Sequence, residues 1–267
     1  KTLRGNENLT PDQTSSVETM HKLMDDVLSW NAYLQIFAGA LSSTNQRDAR
    51  LKHEKIDLRK MLNGDTEEGY QTKITGLIES FRNRATVPGT EQKIHIATPG
   101  ISGTSTAIIH ANKALIISIF SNLIENSLKS LKYKITTKKI SIPNPEVKIE
   151  IWKDGGLLNI SCWDNGYGIP EAEKELIWRP FWSKYKSESR YRGMGLGTVI
   201  TKKIVERTYR GMIKLEDTKC DADSPGQGFA KFLIQIPVKQ LDEPKMKGKI
   251  KTQPEPEETV GKNGEIG

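Results

Sequence analysis

The sequence predicts an α+β protein in three parts: a helical hairpin over residues 1–88, an α/β sandwich over 89–240, and a disordered tail over 241–267. Three observations carry that division. Before residue 85, apolar side chains recur every three or four positions, as amphipathic helices require. After Val87-Pro88-Gly89, strand-like runs interleave with helical segments at irregular intervals, which suits a sandwich better than a barrel or a doubly wound sheet. From Leu241 onward Lys, Glu and Pro dominate and large apolar side chains are few, so no core can form there.

Residues 1–12 are a polar lead-in. A first helix is predicted over 15–41, with Val17, Met20, Met24, Val27, Tyr33, Leu34, Phe37 and Leu41 on its apolar stripe, and a break at 42–45. A second is predicted over 46–62 through Leu51, Ile56, Leu58, Met61 and Leu62. Asn63-Gly64-Asp65 interrupts it, and 72–84 resumes the pattern through Ile74, Leu77, Ile78 and Phe81. This spacing suits an antiparallel hairpin that dimerises into a bundle. In the second half, strands are predicted over 93–97, 106–110, 147–153, 157–163, 212–215 and 229–236, with helices over 113–131, 171–178 and 198–207.

The 267 residues include 40 Lys+Arg and 33 Asp+Glu, a formal net charge of +7, and 36% hydrophobic residues. That is enough for a core with polar helical surface to spare. No apolar run reaches the roughly 18–20 residues a membrane span needs; the longest, 32–41, is broken by Gln35 and Gly39. No membrane span is expected in this chain, although a sequence starting at Lys1 is compatible with an upstream anchor or sensor. Two isolated cysteines, Cys162 and Cys220, form neither a disulfide framework nor a CxxC site, so a cytoplasmic location is expected. The cluster Lys129, Lys132, Lys134, Lys138 and Lys139 reads as a solvated loop, with a phosphate- or nucleic-acid-facing patch as the alternative; on the first reading no nucleic-acid partner is expected.

Four local patterns carry chemistry. Asn122 and Asn126 lie four apart on the helix after Lys113, so both carboxamides share one face, where their oxygens suit a hard cation such as Mg²⁺. Glu125 and Lys129, also four apart, can bridge. Asp164-Asn165-Gly166-Tyr167-Gly168 ends an apolar strand: a carboxylate there can accept from an exocyclic amine, and glycines let backbone approach a flat ring. Arg179-Pro180-Phe181-Trp182-Ser183-Lys184 leads from aromatics into a polar stretch, 183–192. Gly193-Met194-Gly195-Leu196-Gly197-Thr198 opens a helix whose N–H groups suit a phosphate. Its spacing is neither GxGxxG nor GxxxxGK[ST]. Taken singly, each is as well explained by a surface pair, a turn, a core aromatic or a loop.

In this order, the four patterns closely resemble the N, G1, F and G2 boxes of the histidine-kinase-type ATP-binding domain of the GHKL or Bergerat superfamily. Ile204-Val205-Glu206 with Gly211 and Ile213 is similar to a further stretch of that family, and Gly226-Gln227-Gly228-Phe229 with Ile236-Pro237 to its closing strand. The resemblance runs from about Lys93 to Val238. It implies that Asn126 coordinates Mg²⁺, with Asn122 and Lys129 near the triphosphate of ATP. It implies that Asp164 holds the adenine amine, that Gly166 and Gly168 make room for the base, and that Phe181 anchors a lid over 183–192. Lys184 or a lid Arg would reach the γ-phosphate. Gly193, Gly195, Leu196, Gly197 and Thr198 would hinge the lid and bind phosphate.

Hydrolases of the superfamily carry Glu four residues before the metal-binding Asn, where it activates water; Asn122 stands there in this chain. The two-Asn form resembles histidine kinases, with Glu125 a weaker candidate base. The resemblance implies a homodimer, a phosphoacceptor histidine and a response-regulator aspartate as next acceptor. His21, in the first helix, is the candidate acceptor, but Lys22 follows it where the family has Glu or Asp, and Asp26 replaces the usual Pro. Asp25 can substitute for the missing carboxylate. His53-Glu54 has the dipeptide yet lies close to the ATPase domain unless the hairpin turns at 63–65. His95 and His110 fall in strand-like text and are expected to be structural. The alternative is an ATP-binding conformational switch without a phosphoacceptor.

Overall fold

The computed structural model describes residues 53–65, 74–82, 84–103, 107–184 and 194–241. The first predicted helix with His21, the start of the second (46–52), the lid stretch 185–193 with Gly193, and the predicted tail beyond Leu241 lie outside the described residues.

The main sheet is built on a long antiparallel hairpin, β7 (Glu146–Asp154) and β8 (Leu157–Asp164), in register from Val147 opposite Asp164 to Asp154 opposite Leu157. β10 (Phe229–Pro237) adds antiparallel to β8, and β9 (Met212–Lys219) adds antiparallel to β10 at the edge. On the other side β4 (His95–Ile96) and β5 (Gly100–Ile101) pair parallel with β7. β8 is central, and five consecutive residues, Leu158–Cys162, are buried, the polar Asn159 and Ser161 among them.

One long helix, α3 (Lys113–Thr136), lies across β7 and β8 and buries Leu115, Ile116, Ile119, Phe120, Leu123, Ile124, Leu128 and Leu131. Asn112 caps it, its side chain accepting from the Leu115 N–H at 3.1 Å. The helix runs past the predicted end at 131 because Lys134 also turns inward. A shorter helix, α4 (Gly197–Lys203), packs against α3 and continues as a π-helical turn, Ile204–Thr208. The predicted helix at 171–178 is two 3-10 turns, Glu171–Glu173 and Leu176–Trp178.

The structure corrects the helical expectation where it describes those two stretches, over 53–62 and 74–82. Residues Glu54–Asp57 form a strand, β1, paired antiparallel with β6 (Ile108–Ala111). Helix begins only at α1 (Leu58–Asn63), because Asp57 acts as N-cap, its carboxylate accepting from the N–H groups of Arg59 at 2.9 Å and Lys60 at 3.3 Å. Likewise β2 (Gly64–Asp65) pairs with β3 (Ile74–Thr75), and only α2 (Leu77–Arg82) is helical beyond them. Ile56, Leu58, Leu62, Ile78 and Phe81 share one core with Phe120 of α3 and Ile149 and Ile160 of the sheet. Among the described residues no helix is long and apolar enough to cross a membrane.

Candidate functional site

One face of α3 organises the site. Near the middle of the helix, Asn122 donates from Nδ2 to Thr201 Oγ1 at 3.2 Å and Asn126 from Nδ2 to Thr198 Oγ1 at 3.4 Å. Both partners belong to α4, so the Asn pair and the stretch opened by Gly195, Leu196 and Gly197 are brought together. The amide nitrogens face the threonines, which leaves both carboxamide oxygens as acceptors. Gly197 sits directly against Asn122: a Cβ there would lie 3.1 Å from Asn122 Oδ1.

One turn further along, Ser127 and Ser130 meet the end of β8. Asp164, 3% exposed, accepts on Oδ2 from Ser127 Oγ at 2.8 Å and on Oδ1 from the Gly166 N–H at 3.0 Å. Ser130 Oγ accepts from the Tyr167 N–H at 2.9 Å. A Cβ on Gly166 would collide with Ser130 Oγ and stand 2.6 Å from Asp164 Oδ1, so only glycine lets the turn press this close to the helix. Burial pushes the Asp164 carboxyl up to about 7; the hydrogen bonds from Ser127 and Gly166, the Lys134 charge and Ser130 oppose that rise without overcoming it. Cys162, two residues earlier, is an inert buried thiol, pushed up to about 12 by burial and then by the Asp164 charge.

The aromatic segment is tied to the glycine segment through backbone. Phe181 donates from N–H to the Gly195 carbonyl at 3.0 Å, has a left-handed φ of 63°, and is 60% exposed. Lys184 does not point at the Asn pair: its ammonium donates to Glu173 Oε2 at 3.0 Å and lies 4.7 Å from the centre of the Tyr167 ring. Lys129 bridges Glu125 at 3.5 Å, as the four-residue spacing predicted.

The lysine cluster is not one solvated patch. Lys134 is buried and pairs with Asp221; Lys132 donates to the Arg84 carbonyl; Lys138 lies over the rings of Tyr133 and Tyr167. Ser127, Ser130 and Lys134 are the site-lining groups the sequence reading missed. Their signal was present: counted from Ser127, they recur at three and seven residues on a helix otherwise apolar on that side. His53 stands exposed just before β1, its ring 6.4 Å from that of Tyr209, and His95 and His110 lie on β4 and β6. A separate open groove of about 400 Å³, lined by Trp178, Lys202 and the edge strand β9, contains none of the predicted site residues.

The arrangement offers a buried carboxylate acceptor beside a glycine turn, two carboxamide oxygens, and backbone entering α4, all touching one helix. Residues 111–240 match the model of the histidine kinase-, DNA gyrase B-, and HSP90-like ATPase. The chain is 30% identical over 138 residues to the circadian input-output histidine kinase CikA of Synechococcus elongatus, covering 51% of this chain and 16% of that protein. It is 25% identical over 203 residues to the sensor protein RprX of Bacteroides fragilis, covering 76% of this chain and 33% of that one. The chain therefore spans a third or less of the length of these curated relatives. Among solved structures, full-length ShkA in complex with AMPPNP superposes with a TM-score of 0.55 at 20% identity, over 87% of this chain and 40% of that one, which is a likeness of fold.

Proposed function

We propose, for a chain whose residues 111–240 match the model of the histidine kinase-, DNA gyrase B-, and HSP90-like ATPase, that the protein is an ATP-dependent histidine autokinase of a two-component system. The observation that carries the nucleotide half of this reading is Asp164, a buried carboxylate at a strand end, held by Ser127 of the same helix that carries Asn122 and Asn126. Buried charge is costly unless it is used. Here it would accept from the adenine 6-amine, with Gly166 and Gly168 beneath the ring.

The phosphates would extend along α3 toward α4, where Gly195, Leu196, Gly197 and Thr198 present backbone and hydroxyl donors. The Asn126 carboxamide oxygen, with its nitrogen directed at Thr198, is the hard donor that would hold Mg²⁺. When bound, that ion neutralises charge on the phosphate oxygens. Asn122 stands where a water-activating Glu would favour hydrolysis, so transfer to a protein nucleophile is the better reading. A neutral imidazole nitrogen of His21 would attack the γ-phosphorus as the bond to the β-bridging oxygen breaks, ADP leaving with that electron pair and Asp25 taking the imidazole proton. The phosphoryl group would then pass to a response-regulator aspartate. A homodimer in the cytoplasm, built through the predicted helix over 15–41, completes the reading. Lys184 would have to leave Glu173 to reach the γ-phosphate.

Incubation with γ-labelled ATP and Mg²⁺ tests the transfer. The wild type is expected to retain acid-labile, base-stable label, His21→Ala to lose it, and His53→Ala to keep it, since His53 precedes a strand of the ATPase core. Label surviving in His21→Ala overturns this acceptor. Tight ATP binding with no label in the wild type favours the nucleotide switch, the reading that Lys22 suggests.

The Asp164 carboxyl also sets a pH dependence. The ionised carboxyl accepts from an amine more strongly than the protonated one, so protonation below about 7 weakens the contact. Adenosine, which has no phosphates of its own to titrate, should bind with constant affinity above pH 8 and more weakly below about pH 6, levelling off where the carboxyl is fully protonated. A flat profile from pH 5 to 9 would remove Asp164 from the base contact. The sign for the unliganded fold is opposite: a raised carboxyl stabilises the fold at low pH, and that contribution is lost as pH rises through about 7.

A further inference from the structure

Lys134 belongs to none of the four sequence boxes, yet it is the most fully enclosed cation among the described residues. Its ammonium donates to the carbonyls of Asn165 at 3.1 Å, Gly166 at 3.1 Å and Gly228 at 3.4 Å, and faces Asp221 Oδ2 at 2.9 Å. The Lys134 and Asp221 side chains are 1% and 0% exposed. Asp221 in turn accepts on Oδ1 from the Gly228 N–H at 2.8 Å, and its own N–H donates to the Tyr167 carbonyl at 3.0 Å. Two loops distant in sequence, 164–168 and 220–228, thus converge on one ammonium at the end of α3.

We propose that Lys134 is a positioning residue for base recognition: it clamps the 164–168 turn to the 220–228 loop and thereby fixes the direction in which Asp164 and Gly166 face the purine. The proposal rests on the nucleotide-binding reading of Asp164. Its physical basis is the donor count. Carbonyls of 165 and 166 point away from the side on which the Gly166 N–H holds Asp164, and they need donors of their own. A lysine ammonium carries three donors and can serve carbonyls from both loops at once; no hydroxyl or amide has that capacity. Without it the peptide group that joins residues 165 and 166 loses the partner of its carbonyl and can turn, and its other end, the Gly166 N–H, then leaves Asp164. A pair serving only stability would be replaceable by neutral groups of similar shape, because removing both charges strands none.

That difference supplies the test. Competition of ATP and ITP against a fluorescent ATP analogue measures discrimination for the 6-amine, since ITP has a carbonyl there. Thermal melting of the same samples measures stability. The variants are Lys134→Met, which keeps the stem and deletes the donors, and Lys134→Met/Asp221→Asn, which leaves no unpaired charge. Lys134→Met should melt earlier and lose about tenfold in ATP affinity, the worth of one misdirected hydrogen bond, with little change for ITP. The double variant should recover the part of the melting temperature lost to the unpaired Asp221 charge while the ATP preference stays lost. If the double variant recovers discrimination together with stability, Lys134 is structural only and the proposal is overturned. Equal losses for ATP and ITP in both variants overturn it as well. A wild type that binds neither nucleotide overturns the nucleotide reading itself, and this inference with it.

Discussion

Asp164→Asn is expected to lower ATP affinity by about a hundredfold or more while leaving the fold intact. The carboxylate accepts on both oxygens, from Ser127 and from the Gly166 N–H. An Asn can keep the Gly166 bond through its oxygen only by placing its NH₂ toward Ser127 Oγ, which can turn to accept it. The fold is then satisfied, but the face that received an amine now presents a donor to a donor. Stability should move the other way. The native carboxyl is shifted from 3.8 to about 7 by burial, so ionising it costs the fold on the order of 4 kcal/mol at high pH. A neutral amide escapes that cost. Asp164→Asn should therefore melt higher than wild type at pH 8.5 and by a smaller margin at pH 5, where about 1.6 kcal/mol of that cost is already present. Calorimetric titration and melting at the two pH values check both halves. Undiminished ATP affinity would sink the assignment of Asp164 to the base.

The site was legible where its information is local and obscure where it is not. Asn122 with Asn126, Asp164 to Gly168 and Gly195 to Thr198 are short stretches whose residue types and spacing are set by what they contact, and the structure brings all three onto α3. Lys134 shares the spacing of Ser127 and Ser130 but is masked by its neighbours, because a lysine among lysines looks solvated; its burial is decided by Asp221 and by carbonyls of two distant loops. β1 was hidden for a related reason. Ile56, Leu58, Met61 and Leu62 satisfy helical spacing, and strand identity at Glu54–Asp57 comes from pairing with β6 about fifty residues later in sequence. Lys184 shows the reverse case: its place after Phe181 suggested a phosphate ligand, while in this structure Glu173 and the Tyr167 ring hold it.

Gly168→Ala should behave unlike Asp164→Asn, because stability and binding must fall together. Gly168 has φ of 75°, and a Cβ there would overlap the Lys219 carbonyl oxygen, stand 2.8 Å from its carbon and 3.0 Å from the Phe229 carbonyl oxygen. These are backbone atoms at the ends of β9 and β10, where the strands are paired and cannot retreat. Nor can the turn move: Tyr167 is held at its N–H by Ser130 and at its carbonyl by the Asp221 N–H, and the Ile169 N–H donates to Thr218 Oγ1 at 3.0 Å. Left-handed strain alone costs about 1–2 kcal/mol, and the backbone overlap should bring the total to about 3 kcal/mol or more. At this domain size that lowers the melting temperature by about 6–12 °C. The matched control is Gly226→Ala, with φ of 81° and open space around its Cβ; it carries the strain without the overlap and should cost only about 1–2 kcal/mol. Equal losses in the two variants would mean that the approach of the 164–168 turn to β9 and β10 is looser than the structure has it. A larger loss at Gly168, with ATP affinity falling beside it, would tie the base pocket to the strand ends that support it.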